Sequence, residues 1–216
     1  MRILLCVLSM LIGTASAVAQ KPPSNAANNS NGLQSGWQPY STVNVFIDSA
    51  QFPPGSAAES AVKQGFLNNQ KAYSSQDITY SFTSVQACPV LNVGEAYVTT
   101  ESFSDPSQWG NNSWTSTFNS AYGYNFTTTA YITVSPNLLS APASLTYALS
   151  HEDSHDYFLG DCPSCAEGST IMSYQNDVYS PPFEGPQEND INAFEGFGGA
   201  NGGTGVCYTP PCRDDQ

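Results

Sequence analysis

Two histidines stand four residues apart, and they are the only histidines in the 216-residue chain. Residues 151–155 read H-E-D-S-H, which is the H-E-x-x-H pattern. Residues four apart lie on one face of a helix, so the imidazoles of His151 and His155 can bind a single metal ion. Glu152 follows the first ligand and can act as general base on a metal-activated water. The pattern therefore predicts a hydrolytic zinc site on a helix.

The third ligand of this site is not set by the histidine spacing. Catalytic zinc commonly takes three ligands from the protein and leaves one position for water. Because the chain has no further histidine, the third ligand must be Asp, Glu or Cys. One candidate for the third ligand is a glutamate from a downstream helix, Glu184 or Glu188. Asp153 and Asp156 are expected on a different face of the helix as solvated acids, with Asp156 a possible hydrogen-bond partner of a ligand.

The sequence of residues 151–161 resembles the zinc-binding signature of the metzincin peptidases, H-E-x-x-H-x-x-G-x-x-H/D. This resemblance places Asp161 as the third ligand, in the aspartate version known from secreted bacterial members such as the snapalysins. Residues 169–174, S-T-I-M-S-Y, resemble the Met-turn of the same family. The resemblance implies that Met172 is a structural floor of the site. It also implies that Tyr174, as in serralysins, is a further zinc ligand and a catalytic oxyanion stabiliser.

One position departs from the family pattern. The family's glycine ends the helix and turns the chain back toward the metal, a conformation that suits glycine. This chain has Phe158 there, with Gly160 two residues later. A catalytically weak or inactive zinc-binding relative is therefore an alternative to an active peptidase.

Residues 101–126 support another alternative. The segment is rich in Ser and Asn and contains Trp109 and Trp114, so we predict a long loop or an irregular hairpin. Aromatic and small polar side chains suit stacking on polar ligands. A secreted module that binds glycan or cell wall is the resulting hypothesis.

The remaining pattern predicts a single α+β domain. A β-branched run indicates a strand at 43–47, and alternating apolar residues indicate strands at 78–83 and 129–134. We expect a further strand at 95–100. We expect helices at 56–73, where Ser56 and Glu59 form a capping box, at 143–158 and at 186–194. The metzincin resemblance implies a mixed twisted sheet, an active-site helix and an irregular C-terminal subdomain.

The ends of the chain differ in composition from this domain. Residues 1–19 have the basic start, short apolar run and small-residue end of a signal peptide, which predicts secretion to the periplasm or the exterior. We expect a disordered leader at 20–41, the metzincin-like catalytic domain at 42–196, and a Gly-rich, Cys-containing tail at 197–216.

Charge and cysteine content limit the partners. With 5 Lys and Arg against 18 Asp and Glu, the chain is a poor candidate for binding nucleic acid or, after signal cleavage, membranes. We expect a monomer that acts on protein or peptide substrates with one zinc ion. Structural Ca²⁺ is conceivable from the acidic surplus, but no EF-hand spacing supports it. We expect Cys162 and Cys165 to take part in a structural disulfide rather than to form a redox-active C-x-x-C motif.

Overall fold

The computed structural model describes residues 33–34, 36–37, 40–74, 77–119, 124–157, 159–161, 170–173 and 184–195. These residues form a six-stranded sheet and three α-helices, which confirms the predicted α+β class. No helix among them is long and apolar enough to span a membrane. The elements are β1 (Leu33–Gln34), β2 (Thr42–Asp48), α1 (Ala57–Ala72), β3 (Thr79–Val85), β4 (Glu95–Thr100), β5 (Gly110–Asn119), β6 (Tyr124–Val134), a 3₁₀ helix (Pro136–Ser140), α2 (Pro142–His155) and α3 (Glu188–Glu195).

The sheet is mixed. Its order is β1-β6-β4-β2-β3, and these neighbours are all parallel, while β5 pairs antiparallel with β6. The alternate residues Val43, Val45 and Ile47 of β2 are fully buried, as their period-two spacing predicts. The connection from β2 to β3 runs through α1, as parallel neighbours require a crossover.

Helix α1 begins and ends within one residue of the prediction. The Ser56 hydroxyl accepts a hydrogen bond from the backbone N–H of Glu59 at 3.0 Å, which satisfies one of the unpaired donors of the first turn. Helix α1 lies directly on α2 because Gly65 permits close approach. A Cβ at Gly65 would lie 2.6 Å from the Cβ of Leu149. The absent side chain therefore sets the distance between the two helices.

Helix α2 is buried on nearly all sides, although its sequence is polar. Pro142 occupies its first turn, where a missing N–H costs nothing. The helix ends at His155, earlier than the predicted residue 158. The N–H of Leu159 donates to the carbonyl of Ser154 at 3.3 Å, so the chain reverses immediately after the helix. This reversal returns residues 159–161 toward the side of the helix that carries the histidines.

The region 101–126 has regular structure over much of its length. Strand β5 and the start of β6 form a hairpin with a register shift between Thr115 and Ser116. The irregular hairpin is therefore the correct alternative of the two, and the long loop is wrong. The segment lacks apolar periodicity because β5 is exposed over much of its length, so pairing with β6 rather than burial maintains it.

The expected leader extends too far into the chain. Leu33–Gln34 pair with β6, and the carbonyl of Gly36 accepts a hydrogen bond from Thr127 at 2.7 Å. Trp37 is fully buried in the core. The folded domain thus starts before residue 42, because one tryptophan in a polar segment buries enough apolar surface to dock it. Residues 1–32 and 196–216, with the predicted signal peptide and tail, lie outside the described residues.

Candidate metal centre

In both histidines of α2, the ring nitrogen Nδ1 is hydrogen-bonded to a backbone carbonyl. Nδ1 of His151 lies 2.8 Å from the carbonyl oxygen of Ile171, and Nδ1 of His155 lies 2.7 Å from that of Leu159. A carbonyl oxygen only accepts, so Nδ1 carries the hydrogen in each ring. In the neutral ring the lone pair is then on Nε2, which is the arrangement of metal-binding histidines.

Asp161 completes a cluster with these two Nε2 atoms. Its Oδ1 lies 2.9 Å from Nε2 of His151 and 3.8 Å from Nε2 of His155. Ligand atoms around a tetrahedral zinc ion with bonds of about 2.0–2.1 Å lie roughly 3.3 Å apart. The chain thus brings Asp161 close to both histidines, although Phe158, which lies outside the described residues, stands where the metzincin pattern has glycine.

A buried atom of the cluster has no hydrogen bond. Oδ1 of Asp161 is buried and has no partner of acceptable hydrogen-bond geometry among the described residues, despite its closeness to His151. A buried acceptor without a donor is costly, unless a ligand or ion satisfies it. This orphaned oxygen and the two Nε2 atoms converge, so the donor set fits a metal ion.

The charges of the cluster also favour a cation. Burial would lower the pKa of His151, but contact with Asp161 and the charges of Glu152 and Asp161 raise it to about 9. Burial and the charge of His151 lower the pKa of His155 to about 4. Burial raises the pKa of Asp161, but the neighbouring histidines outweigh it and the net pKa is lowered. A positive charge is therefore stabilised between His151 and Asp161.

Glu152 lies in the same cleft as the three candidate ligands. Its side chain is largely buried, and Oε2 lies 3.9 Å from Nε2 of His155. The cleft has a volume of about 460 Å³, and its walls come from α2, β5 and the segments around them. Its lining residues are Asp105, Ser107, Gln108, Trp109, Gly110, Asn111, Asn112, Tyr147, Ala148, His151, Glu152, His155, Asp161 and Ser173.

Strand β5 positions this part of α2, which the sequence did not indicate. The side-chain amide of Asn112 donates to the backbone carbonyl of Glu152 at 2.7 Å in a buried contact. The indole of Trp114 stacks on the ring of His155, with centroids 6.0 Å apart and planes at 5°. Both residues belong to the segment 101–126, which the sequence predicted as a loop or an irregular hairpin. Nothing in the sequence pattern indicates that either of them contacts α2.

The turn that contains Met172 lies next to the first histidine. Met172 is fully buried. The carbonyl of Ile171 accepts hydrogen bonds from Nδ1 of His151 and from the hydroxyl of Tyr147, the latter at 2.9 Å. The turn therefore fixes the orientation of the His151 ring. Tyr174, predicted as a further ligand, lies outside the described residues.

Helix α3 holds this turn in place through Asp190. The carboxylate of Asp190 is fully buried and accepts a hydrogen bond from the N–H of Ile171 at 2.8 Å. It also accepts from the Thr170 hydroxyl and, at 2.7 Å, from the N–H of Gln187. The sequence predicted α3 but gave no sign that its acidic residue reaches the turn.

Other acidic residues considered from the sequence are not in the cluster. Glu184 and Glu188, the alternative third ligands, are exposed, and the metal-binding group found among the described residues contains neither of them. The expectation that Asp153 and Asp156 are solvated is wrong, because both are fully buried. Burial raises the pKa of Asp153 to about 8 and that of Asp156 well above its usual value.

No protein-family model and no curated protein matches this chain. Its function has therefore to be inferred from the chemistry of the site.

Proposed function

We propose that this chain is a secreted zinc-dependent endopeptidase of the metzincin type. The observation that carries the proposal is the convergence of His151 Nε2, His155 Nε2 and Asp161 Oδ1 in a cleft that also contains Glu152. Secretion rests on the signal-like residues 1–19, and the family assignment rests on the sequence of residues 151–161 and 169–174.

Zinc fits the donor set better than other common ions. Two imidazole nitrogens and one carboxylate oxygen are typical ligands of Zn²⁺, and three protein ligands are typical of catalytic sites. Calcium and magnesium prefer all-oxygen sites, so this cluster does not suit them. His151, His155 and Asp161 would hold the zinc ion, which would supply a Lewis acid and lower the pKa of a bound water.

The chain's own residues would perform the proton transfers. The Glu152 carboxylate takes a proton from the attacking water and delivers it to the nitrogen of the leaving amine. Hydrogen bonds from Nδ1 of each histidine to a carbonyl keep the two rings oriented throughout. By family resemblance, Tyr174 stabilises the negative charge that develops on the carbonyl oxygen.

The shape of the cleft supports an extended peptide as substrate. Gly110, Asn111 and Asn112, at the start of β5, line the cleft. Within the described part of the chain β5 pairs only with β6, so its second edge is available for backbone hydrogen bonds. An extended substrate can add to such an edge as a further strand.

The test is metal content with casein hydrolysis, on the wild-type protein and on Glu152→Gln. We expect about one zinc per chain and turnover that the variant reduces by about 10²–10⁴-fold, while zinc and thermal stability are retained. Glu188→Gln, an exposed glutamate of α3, serves as the matched control and should keep full activity.

Three outcomes contradict the proposal. Full activity in Glu152→Gln removes the general-base role. Zinc without turnover in the wild-type protein indicates an inactive zinc-binding relative. The absence of bound zinc, together with binding to an insoluble glycan, indicates the binding module instead.

A further inference from the structure

Gly110 has no backbone reason to be glycine. It is the first residue of β5 and is paired with Val134. Among the described residues, the glycines with left-handed φ angles are Gly36, Gly55 and Gly94. Because Gly110 is not one of them, its φ is accessible to any residue. The absence of a side chain at this position therefore requires another explanation.

Space beside Glu152 supplies that explanation. A Cβ at residue 110 would lie 2.4 Å from Oε1 of Glu152, 2.7 Å from its Cγ and 2.8 Å from its Cδ. These distances are far below the 3.5–4.0 Å of normal carbon contacts. Any residue other than glycine at this position would thus overlap the carboxylate of Glu152 where it now lies.

Both backbones at this contact are held. The carbonyl of Trp109 accepts a hydrogen bond from Ser135 at 2.7 Å, which ties the start of β5 to the end of β6. On the α2 side, the backbone carbonyl of Glu152 accepts a hydrogen bond from the side-chain amide of Asn112 at 2.7 Å. A new side chain at residue 110 should therefore move the Glu152 side chain rather than either backbone. Rotation about side-chain torsions costs less free energy than breaking these backbone hydrogen bonds.

We propose that Gly110 is a positioning residue for Glu152. The missing side chain leaves the space in which the carboxylate is confined between β5 and the ligand cluster, with Oε2 3.9 Å from Nε2 of His155. A methyl group there pushes the carboxylate away from that position and leaves the ligands in place. The consequence for catalysis rests on the proposed peptidase function, whereas the steric consequence does not.

The first experiment compares Gly110→Ala with Thr117→Ala, an exposed position farther along the same strand. We expect kcat of Gly110→Ala to fall about 100-fold, the scale for misplacing a catalytic group by about 1 Å. KM, zinc affinity measured by chelator competition, and the melting temperature should match those of Thr117→Ala. Equal kcat values in the two variants would overturn the proposal.

A double-mutant cycle separates positioning from distortion of the strand. Glu152→Ala removes Oε1, Cγ and Cδ, the three atoms that would lie 2.4, 2.7 and 2.8 Å from a Cβ at residue 110. Gly110→Ala should then lower the residual kcat of Glu152→Ala by less than about threefold, against about 100-fold in the wild-type background. A strand that is merely distorted would cost the same factor in both backgrounds, and that result contradicts the proposal.

A crystal structure of Gly110→Ala gives a readout that does not depend on activity. The Glu152 carboxylate should be displaced by about 1 Å or more, with the backbone of β5 unmoved. A displaced strand with an unmoved carboxylate would overturn the inference. If the wild-type protein has neither zinc nor turnover, the proposed function fails, and the crystal structure still decides the steric role of Gly110.

Discussion

The two sides of helix α2 are both polar and both buried, yet they differ in where their polar atoms point. On the cleft side, His151, Glu152 and His155 face a cavity. On the inner side, Asp153 and Ser154 face α1 and the sheet. The same helix therefore presents one polar surface to a potential ligand and another to the interior of its own fold.

On the inner side, Asp153 and Ser154 are hydrogen-bonded within the protein. The Asp153 carboxylate accepts from the hydroxyl of Tyr80 at 2.9 Å and from the amide of Asn69 at 2.8 Å. Tyr73 and Ser154 share a further hydrogen bond at 3.1 Å. A buried network of this kind specifies how α1, α2 and the sheet fit together.

The cleft side instead brings three atoms of the kind that bind metals close together. Nδ1 of each histidine is bonded to a carbonyl, but the two Nε2 atoms and Oδ1 of Asp161 converge on each other. The difference teaches that buried polarity alone does not identify a functional site. What distinguishes the site is the convergence of two imidazole nitrogens and a carboxylate oxygen at the wall of an open cleft.

The largest expected effect on the cleft side follows removal of Asp161, the proposed third ligand. Asp161→Ala should weaken zinc binding by more than about 100-fold, because the proposal makes Asp161 a direct ligand rather than a hydrogen-bond partner of one. The stability of the metal-free protein should change little. Chelator competition measures the affinity, and Asp105→Ala, a carboxylate of the same cleft outside the cluster, is the control. Unchanged zinc affinity in Asp161→Ala would exclude it as ligand.

The inner side should respond in the opposite way. Asp153→Ala leaves the Tyr80 hydroxyl and the Asn69 amide without their acceptor and should lower the free energy of unfolding by about 3 kcal/mol. Asp153→Asn keeps the shape and one acceptor oxygen, so its loss should be smaller. Urea unfolding measures both variants, and zinc affinity of the folded protein should stay within a few-fold of wild type. A larger effect on zinc than on stability would break the distinction between the two sides.

Asp190 should affect both properties, because it supports the turn that orients His151. Asp190→Ala should lower the free energy of unfolding by about 2 kcal/mol and weaken zinc binding by about tenfold. Glu188→Ala, an exposed acid of the same helix, should change neither quantity. Normal zinc affinity in Asp190→Ala would show that the turn keeps His151 oriented without α3.

The smallest expected effect lies at the start of α1, away from both sides of α2. Lys63, at 2.8 Å, and the N–H of Gly55 lower the pKa of Glu59 below its usual 4.5. Because the folded pKa is depressed, this stabilisation is full above pH 4.5 and is lost as the pH falls through the folded value. Glu59→Gln should therefore cost about 1 kcal/mol at neutral pH and less at an acidic pH below the folded pKa. Urea unfolding at both pH values checks this, and a constant difference would contradict it.

Local patterns predicted the elements that depend on near neighbours. The capping box of Ser56 and Glu59 marked the start of α1, whose predicted ends are each within one residue of the structure. The β-branched run at 43–47 located β2. The predicted end of α2 at residue 158 was wrong. The chain reverses after His155, where the N–H of Leu159 donates a hydrogen bond to the carbonyl of Ser154, and so the helix does not continue. No periodicity signals such a reversal.

The sequence by itself determined the chemical identity of the candidate site, since the spacing of His151 and His155 acts through a single helical turn. Only the tertiary structure decided that Asp161 reaches them, that Asp153 is buried, and that Gly110 makes room for Glu152. Local sequence patterns cannot predict these features, because they depend on contacts between residues far apart in the chain. Asn69 and Asp153 are 84 positions apart and Asn112 and Glu152 are 40, so these contacts exist only after the sheet and helices pack. A helical repeat carries information over one turn, whereas burial and steric fit depend on the whole packed domain.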